Sequence, residues 1–357
     1  MNLISFDAFD IESIGEHVAV GASVYSSPEV INQEHLSWKH LKNPHGPSTS
    51  VSLRNEFGAL VGRSFIQPRT FWITSGVSCR GATITDLVVK PTERNASTLI
   101  GMTRAIKAPE GFDVVVHTSN DVSDLIYRKL FKFPIAFTMV ATGLPIRISN
   151  ILKPHFNNQS LIKVMELLVS PWRWALRASA VLMGAISGVS LRAEPTDSAM
   201  SELFQEFRQH AGSHFERSQR FLNWRFSEGP LFNGRIEWVW SHGQCLGYLA
   251  FKQVNLGGLE VLVIMDSVLR RQLTPTEAIA LKFISARLAV VGSCDAIFSL
   301  ANTENSALKW LGGVPFVHIP DRHLPHPTPI FVHASNEYRS LEKRADLFFT
   351  LADLDYF

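Results

Sequence analysis

The sequence predicts an α/β protein built from two similar units in tandem, joined by a largely helical segment. Two observations predict it. The segments around Trp38 and Trp224 match each other, and a similar set of strands and helices follows each of them. Hydrophobic residues make up 46% of the 357 residues, which is enough for two cores of ordinary size. The predicted boundaries are 1–150 for the first unit, 151–190 for the helical linker and 191–357 for the second unit.

The duplication is visible in short motifs that recur at matching positions. Each copy has a leucine two residues before its tryptophan, a basic residue directly after it and a proline six residues after it. The next predicted hairpin turn places a glycine 20 residues after Trp38 (58 − 38 = 20) and 19 residues after Trp224 (243 − 224 = 19), and another glycine follows four residues later. These glycines are Gly58 and Gly62 in the first copy and Gly243 and Gly247 in the second. A difference of one residue is an ordinary change of loop length, so the spacing predicts two copies of one unit.

Hydrophobic alternation and turn residues predict the elements of each copy. In the first copy the predicted ranges are strands 48–55, 59–73 and 77–91, helix 97–107, strand 113–118, helix 122–131 and a closing strand 134–141. In the second copy they are helices 197–211 and 217–226, strands 236–241, 245–253 and 259–266, helix 274–291, strand 295–301 and helix 304–311. The stretch Thr-Pro-Thr-Glu marks the start of the helix at 274, because Pro275 then occupies a first helical position.

Charge and cysteine content narrow the function classes. The chain has 34 basic and 32 acidic residues, a net charge of +2, so no basic surface for nucleic acid is expected. Three widely separated cysteines favour a reducing compartment, and the beginning of the sequence lacks the pattern of a signal peptide. We therefore expect a cytoplasmic protein without bound metal. The oligomeric state stays open.

The segment from Trp174 to Leu191 is apolar apart from Arg177 and a few serines, and its length is near the ~18 residues at which a membrane span is considered. Arginines at its start and glycines near its end interrupt it. The sequence predicts a helix buried between the two units, with peripheral membrane contact as the alternative.

The order of strand meander, helix, strand, helix and strand resembles the GNAT acyltransferase fold. In that family the fourth strand leads into a Pro-x-x-Arg-Gly-x-Gly-like turn. Here Pro91 and Arg94 occupy the matching positions, while Ser97 and Leu99 replace the glycines. Family members often carry an asparagine followed seven residues later by a tyrosine, and Asn120 and Tyr127 match that spacing (127 − 120 = 7).

This resemblance implies a site for acetyl-CoA or another acyl-CoA in the first copy. The residues it assigns to cofactor binding are Val88, Val89, Arg94, Asn95, Ala96, Ser97, Thr98 and Asn120. The amides at the start of a helix suit phosphate oxygens, and the strand before it would align the pantetheine arm. The competing interpretation is that this turn is an ordinary connection between a strand and a helix.

Three further residues are candidates for catalysis. Tyr127 would protonate the departing thiolate, or else packs on the sheet as an amphipathic side chain. Asp86, in an apolar strand, could accept a proton from an amine if its pKa were raised, and His117 is the other candidate base. Asp86 and His117 could equally be structural.

The second copy departs from the pattern, because Ala301 and Leu308 stand where Asn120 and Tyr127 stand in the first. The tandem arrangement and the ending 348–355 resemble double-GNAT acyltransferases of bacterial polysaccharide and glycoconjugate synthesis. The implied function is transfer of an acyl group to an amine, such as an amino sugar, with the second copy shaping the acceptor cleft. A Fem-like aminoacyl transferase and a non-catalytic scaffold or regulatory protein are the alternatives.

Overall fold

The computed structural model describes residues 3–74, 76–107, 109–119, 121–153, 159–192, 194–324 and 328–354. Within these residues the strands form two mixed sheets. The strands are β1 Leu3–Ala8, β2 Thr49–Arg54, β3 Leu60–Trp72, β4 Ser78–Val89, β5 Val114–Thr118, β6 Ile135–Thr138, β7 Val140–Pro145, β8 Val189–Arg192, β9 His214–Phe215, β10 Arg235–Ser241, β11 Gln244–Leu256, β12 Leu259–Leu269, β13 Ala296–Ala301, β14 Val317–His318 and β15 Pro329–Ala334.

Helices flank both sheets. They are α1 Ile14–Ala22, α2 Pro28–Ile31, α3 Gln33–His40, α4 Ala96–Lys107, α5 Asp121–Leu125, α6 Ile148–Leu152, α7 Gln159–Ser187, α8 Asp197–His210, α9 Gln219–Leu222 and α10 Pro275–Val291. A π-helical turn continues α5 over Ile126–Leu130, and another continues α9 over Asn223–Ser227. The α/β fold class with two similar units is confirmed.

Each sheet contains strands from the other half of the chain: β9, which pairs with β3, and β15 in the first sheet, and β7 in the second. The first sheet runs β1-β2-β3-β4-β5-β15-β6, and the second runs β14-β7-β13-β12-β11-β10-β8. β15 therefore inserts between β5 and β6, while β7 leaves the first sheet after Met139 and pairs with β13. The division into 1–150, 151–190 and 191–357 stays a prediction. Strand β15 of the last range belongs to the first sheet, and strand β7 of the first range belongs to the second sheet.

Two predicted elements differ from the structure. The single closing strand 134–141 is divided at Met139 into β6 and β7, because the chain passes there from one sheet to the other. The predicted helix 304–311 is reduced to a 3₁₀ turn at Lys309–Leu311. Asn305 prevents a longer helix by accepting a hydrogen bond from the Ala307 amide and donating to the carbonyls of Ala211 and Asp346.

The two tryptophans of the repeat meet at the centre of the molecule. Trp38 and Trp224 stack with ring centroids 5.0 Å apart and an interplanar angle of 22°. Trp38 Nε1 donates to the Trp224 carbonyl at 2.8 Å, and Trp224 Nε1 donates to the Trp38 carbonyl at 3.2 Å. Reciprocal contacts of this kind are expected where two copies of a unit face each other about an approximate two-fold axis.

The repeated glycines also occupy equivalent places. Gly62 lies opposite Val89 and Gly247 lies opposite Leu269. A side chain at Gly62 would meet the Val88 carbonyl at 3.2 Å, and one at Gly247, where φ is +151°, would meet the Val268 carbonyl at 1.9 Å. The same strand approach therefore makes a side chain at Gly62 tight and excludes one at Gly247.

Trp38→Phe should lower the free energy of unfolding by about 1–3 kcal/mol, because it leaves the buried Trp224 carbonyl without its donor. Urea unfolding measures this loss. Trp174→Phe makes the same change at a side chain that is 70% exposed and should stay within about 0.5 kcal/mol of the parent. Equal losses in the two variants would contradict a structural role for the central tryptophan pair.

Helix α7 contains most of the apolar segment 174–191, and it packs against α10 along one side. Leu176 and Ala180 are buried there, while Trp174, Val181 and Leu182 are 60–70% exposed. The prediction of a helix buried between the two units is therefore wrong for the side of α7 that carries Trp174, Val181 and Leu182. Among the described residues, no helix has both the length and the apolar character needed to cross a membrane.

Candidate functional site

A cleft opens in the first sheet where β4 and β5 separate. The two parallel strands pair only from Gly81–Thr83 to Val114–Val116, although β4 continues to Val89. Beyond the last pair lies a cavity of about 350 Å³, within the range of small-molecule sites. Asp86, His117 and Tyr127, the three predicted catalytic candidates, all line this cavity.

Asp86 lies at a bulge in β4. Arg63 faces Val88 and Phe65 faces Thr85, so the register shifts between them, and Asp86 has a φ of +52°. Bulges often reorient a side chain beside a functional site. Here the residue at the bulge is Asp86, which lines the cavity. Its side chain is only 8% exposed.

The Asp86 carboxylate is held by two basic side chains from α3. Lys39 Nζ donates to Oδ2 at 2.8 Å, and His40 Nε2 lies 3.0 Å from the same oxygen. Burial alone would raise the pKa of Asp86, but the Lys39 charge and the His40 hydrogen bond together hold that pKa well below its usual range. A general base at this position would need a raised pKa. The surroundings of Asp86 lower its pKa instead, so the structure does not favour that role.

Lys39 and His40 were not predicted as site residues. Lys39 follows Trp38 directly; it is 3% exposed and its ammonium lies against Asp86. The sequence did contain a signal for a buried basic residue. Asp86 lies in an apolar strand, and a carboxylate there needs a compensating charge. Which basic residue supplies it depends on how α3 packs.

His117 and Tyr127 form an aromatic wall of the cavity. Their ring centroids are 4.8 Å apart at an angle of 86°, and they are 3% and 2% exposed. Burial, with a smaller contribution from His333, lowers the pKa of His117 well below its usual range, so the ring is neutral at pH 7. Neither ring nitrogen of His117 has a hydrogen-bond partner among the described residues, so a neutral imidazole with a free lone pair lies beside the cavity. The burial that lowers its pKa also makes it a weaker base than an ordinary histidine.

The Tyr127 hydroxyl carries its proton at pH 7, where His117 is neutral. Burial raises the pKa of its hydroxyl, so the proton stays in place at neutral and moderately basic pH. A protonated hydroxyl beside a neutral imidazole provides one group that can give a proton and one that can take it.

The exposed edge of β4 presents main-chain groups above the cavity. The Lys90 amide donates to the Val61 carbonyl at 2.8 Å, and alternate residues of a strand face opposite neighbours. Val88 therefore directs its amide and carbonyl toward β3, whereas Leu87 and Val89 face the open side. Arg94 Nε already donates to the Val89 carbonyl at 2.9 Å. Of the two valines predicted to bind the cofactor, Val89 therefore presents its amide on the open side, whereas Val88 faces β3.

The predicted phosphate turn connects β4 to α4. Asn95 caps the helix, its Oδ1 accepting from the Thr98 amide at 2.9 Å. Ala96 and Ser97 are exposed, and their amides belong to the first helical turn, where no carbonyl of the helix can accept from them. The residues from Val88 to Thr98 do not line the cavity but follow directly from Asp86 and Leu87 along the chain. Asn120 lies outside the described residues.

The equivalent helix start in the second copy is already occupied. The Glu277 carboxylate accepts from the Thr274 amide at 3.0 Å and from both terminal nitrogens of Arg271 at 2.8 Å. The Arg271 hydrogen bonds, acting against burial, lower the pKa of Glu277 to about 2. The Glu277 carboxylate already caps this helix start, and its negative charge, partly offset by Arg271, disfavours a second anion there.

The cleft of the second copy is also filled, by the chain that follows Ala345. Thr350 bridges to Ala301 of β13, and the Thr350 hydroxyl donates to Asp266 Oδ1 of β12 at 2.8 Å. Asn302 Nδ2 donates to the carbonyls of Ala345 and Leu347 at 2.7 and 2.6 Å. The inserted segment then reaches the first cavity, whose wall includes Phe349, Asp353 and Leu354.

The two copies thus differ at corresponding places. In the first copy the cleft between strands is open, and the helix start is capped by a neutral side chain. In the second copy, Thr350 lies in the corresponding cleft and Glu277 caps the corresponding helix start. Within the part of the chain that the structure describes, the first copy alone combines an open cleft with a neutrally capped helix start.

Comparison with known proteins identifies the fold. No family model and no curated protein matches the sequence. N-myristoyltransferase of Saccharomyces cerevisiae, solved with bound myristoyl-CoA and inhibitors, superposes with a TM-score of 0.56 at 13% identity, over 97% of this chain and 86% of the other. A GCN5-related N-acetyltransferase of Anabaena variabilis gives 0.53 at 14% identity, over 96% and 75%.

A conserved protein of unknown function from Enterococcus faecalis gives a TM-score of 0.51 at 12% identity, over 93% of this chain and 71% of the other. At these identities the likeness concerns the fold. The chain therefore consists of two GNAT-like domains joined by a helical linker, with the open cleft in the first.

Proposed function

We propose that the protein is an acyl-CoA-dependent N-acyltransferase with a single active site in the cleft between β4 and β5. The observation that carries the proposal is the difference between the two equivalent clefts. The first is open and is bordered by a free strand edge and a helix start without a nearby acidic cap. The second is closed by Thr350 and capped by Glu277.

In this proposal acyl-CoA lies along the open edge of β4 with its pyrophosphate at the start of α4. The exposed amides of Ala96 and Ser97 and the Arg94 guanidinium would bind the phosphates. The Leu87 and Val89 amides face the pantetheine arm and the thioester. The Leu87 amide, at the cavity wall, is the donor placed to polarise the thioester carbonyl.

The reaction is direct attack of an amine on the thioester. The amine nitrogen bonds to the carbonyl carbon and the carbon–sulfur bond breaks. His117, neutral at pH 7, takes the proton that leaves the nitrogen, and Tyr127 gives a proton to the departing sulfur. The products are an amide and free CoA thiol. Asp86 keeps Lys39 and His40 in place beside the cavity.

The acceptor in this proposal is a small-molecule amine in the cytoplasm. An amino sugar or glycoconjugate precursor is the acceptor that the sequence resemblance favours. The inserted C-terminal residues Phe349 and Leu354 would form part of its binding surface, since they belong to the second half and line the cavity.

Calorimetry with acetyl-CoA and with longer acyl-CoAs tests the cofactor site. The parent protein should bind saturably, and Arg94→Glu should lose the binding. Ser97→Glu should weaken affinity by about tenfold or more, because it places at α4 an acid like the one that caps α10. It should not destabilise the fold, since an acid in the first turn favours the helix.

The matched control is Thr276→Glu, which adds an acid at the corresponding exposed position of α10. It should leave acyl-CoA binding unchanged. If the parent binds no acyl-CoA, the acyltransferase proposal fails and the scaffold alternative gains. If Thr276→Glu weakens binding as much as Ser97→Glu, the site does not lie at α4.

A further inference from the structure

Helix α7 exposes an apolar side to solvent. Six of its large apolar side chains are between 60% and 73% exposed: Leu167, Leu168, Trp174, Val181, Leu182 and Ile186. A surface helix of a water-soluble protein normally turns such residues inward and exposes polar ones. Large exposed apolar patches mark binding surfaces.

The exposed apolar residues form one continuous face. At about 100° per residue they fall within an arc of about 140° along the helix. Three of the four charged residues of α7, Glu166, Arg173 and Arg177, fall outside this arc, toward the side where Leu176 and Ala180 are buried against the rest of the protein. The fourth, Lys163, falls at the edge of the arc, in line with Val181. We propose that this face lies in the surface of an anionic lipid bilayer, with α7 parallel to the membrane plane.

The helix backbone at Pro171 leaves no unpaired carbonyl that would oppose burial in lipid. Pro171 has no amide proton, so the Leu167 carbonyl loses its helical partner. Ser170 Oγ donates to that carbonyl at 2.9 Å. In water the carbonyl would be hydrated, but within lipid it needs a donor from the protein, and serine hydroxyls commonly supply one.

Charge and aromatic content favour lipid over a second copy of this chain. Helix α7 has three basic residues and one acidic residue, a net charge of +2 (3 − 1 = 2), which attracts anionic headgroups and would repel an identical helix. The Arg177 guanidinium lies 5.9 Å from the Trp174 ring centroid. An aromatic ring in the apolar face beside an arginine at its border is typical of a helix at a membrane interface. An arc of 140° is also wider than the narrow seam of a paired coiled coil.

Flotation of the full chain with vesicles of phosphatidylglycerol and phosphatidylcholine in equal parts tests the proposal. The parent protein should float with these vesicles and float less with phosphatidylcholine alone. Leu168→Glu combined with Leu182→Glu should reduce the bound fraction by more than about tenfold, because two apolar anchors become charged. Both side chains are exposed, at 72% and 60%, so the unfolding midpoint should not fall.

The matched control is Ile11→Glu combined with Phe57→Glu, which makes the same change of charge at exposed apolar residues outside α7. This variant should float like the parent. Failure of the parent to float would overturn the proposal, as would equal loss in both double variants. A parent that is dimeric in solution without vesicle binding, and monomeric after the α7 substitutions, would assign the face to a second copy instead. None of these outcomes depends on acyl-CoA binding.

Discussion

Replacing Tyr127 by Phe is expected to lower kcat by about 100-fold to 10,000-fold while leaving acyl-CoA affinity within about threefold of the parent. The side chain is 2% exposed, and its hydroxyl remains protonated because burial raises its pKa. Removal of the hydroxyl takes away the donor for the departing thiolate but keeps the ring that packs against His117. Steady-state kinetics with acetyl-CoA and a panel of amines, together with calorimetry, measures both quantities.

Tyr25→Phe is the control for this substitution. Tyr25 lines the same cavity but is 42% exposed, so its loss should change kcat little. An aryl thioester of low leaving-group pKa needs no proton on sulfur and should restore much of the Tyr127→Phe rate. A Tyr127→Phe enzyme with a kcat close to that of the parent would reduce Tyr127 to a packing residue.

The fold and the duplication could be predicted because their signals are local and occur twice. Trp38 and Trp224 repeat with their flanking residues, and each anchors the same place in its own unit. The helix that starts at Pro275 was predictable for the same reason, since its cap lies within four residues of sequence. The candidates Asp86, His117 and Tyr127 were chosen separately, and the structure brings all three to one cavity.

The parts that escaped prediction depend on contacts between distant segments. Strand β15 enters the first sheet and the Thr350 segment enters the second cleft, and neither pairing leaves a periodic pattern in the sequence. The pairing of Lys39 with Asp86 was not predicted, because the burial of one lysine depends on how α3 packs. Glu277 looked like an ordinary cap. Its effect on anion binding became visible only when the two helix starts were compared in space.

Arg217→Met is expected to lower the free energy of unfolding by about 3–5 kcal/mol. Arg217 is fully buried between the strands of the second copy and the inserted C-terminal segment. Its Nε donates to Asp266 at 2.9 Å, and its terminal nitrogens donate to the two oxygens of Asp353 at 2.9 and 2.7 Å. Loss of the guanidinium leaves both buried carboxylates without their main cationic partner, and Arg69, 3.4 Å from Asp353, compensates only in part. Urea unfolding of the full chain measures the loss.

The surface pair Arg344–Asp346 provides the control. Its two charge-assisted hydrogen bonds, both 2.8 Å, are similar in length to those of Arg217, but its side chains are 33% and 52% exposed. Arg344→Met should cost less than about 1 kcal/mol. If Arg217→Met does not fold well enough to measure, Arg217→Lys keeps the charge, loses the paired geometry and should fall between parent and Met variant.

The pH dependence of the same variant separates an electrostatic role from simple packing. Burial alone would raise the pKa of Asp353, but Arg217 lowers it below its usual range in the folded protein. The stability this contributes is complete above the unfolded pKa of about 3.9 and is lost as pH falls toward the folded value. In Arg217→Met burial dominates, so protonation of Asp353 relieves the penalty as pH falls. The difference in unfolding free energy between parent and variant should therefore narrow from pH 7 to pH 4, whereas a purely steric defect would keep it constant.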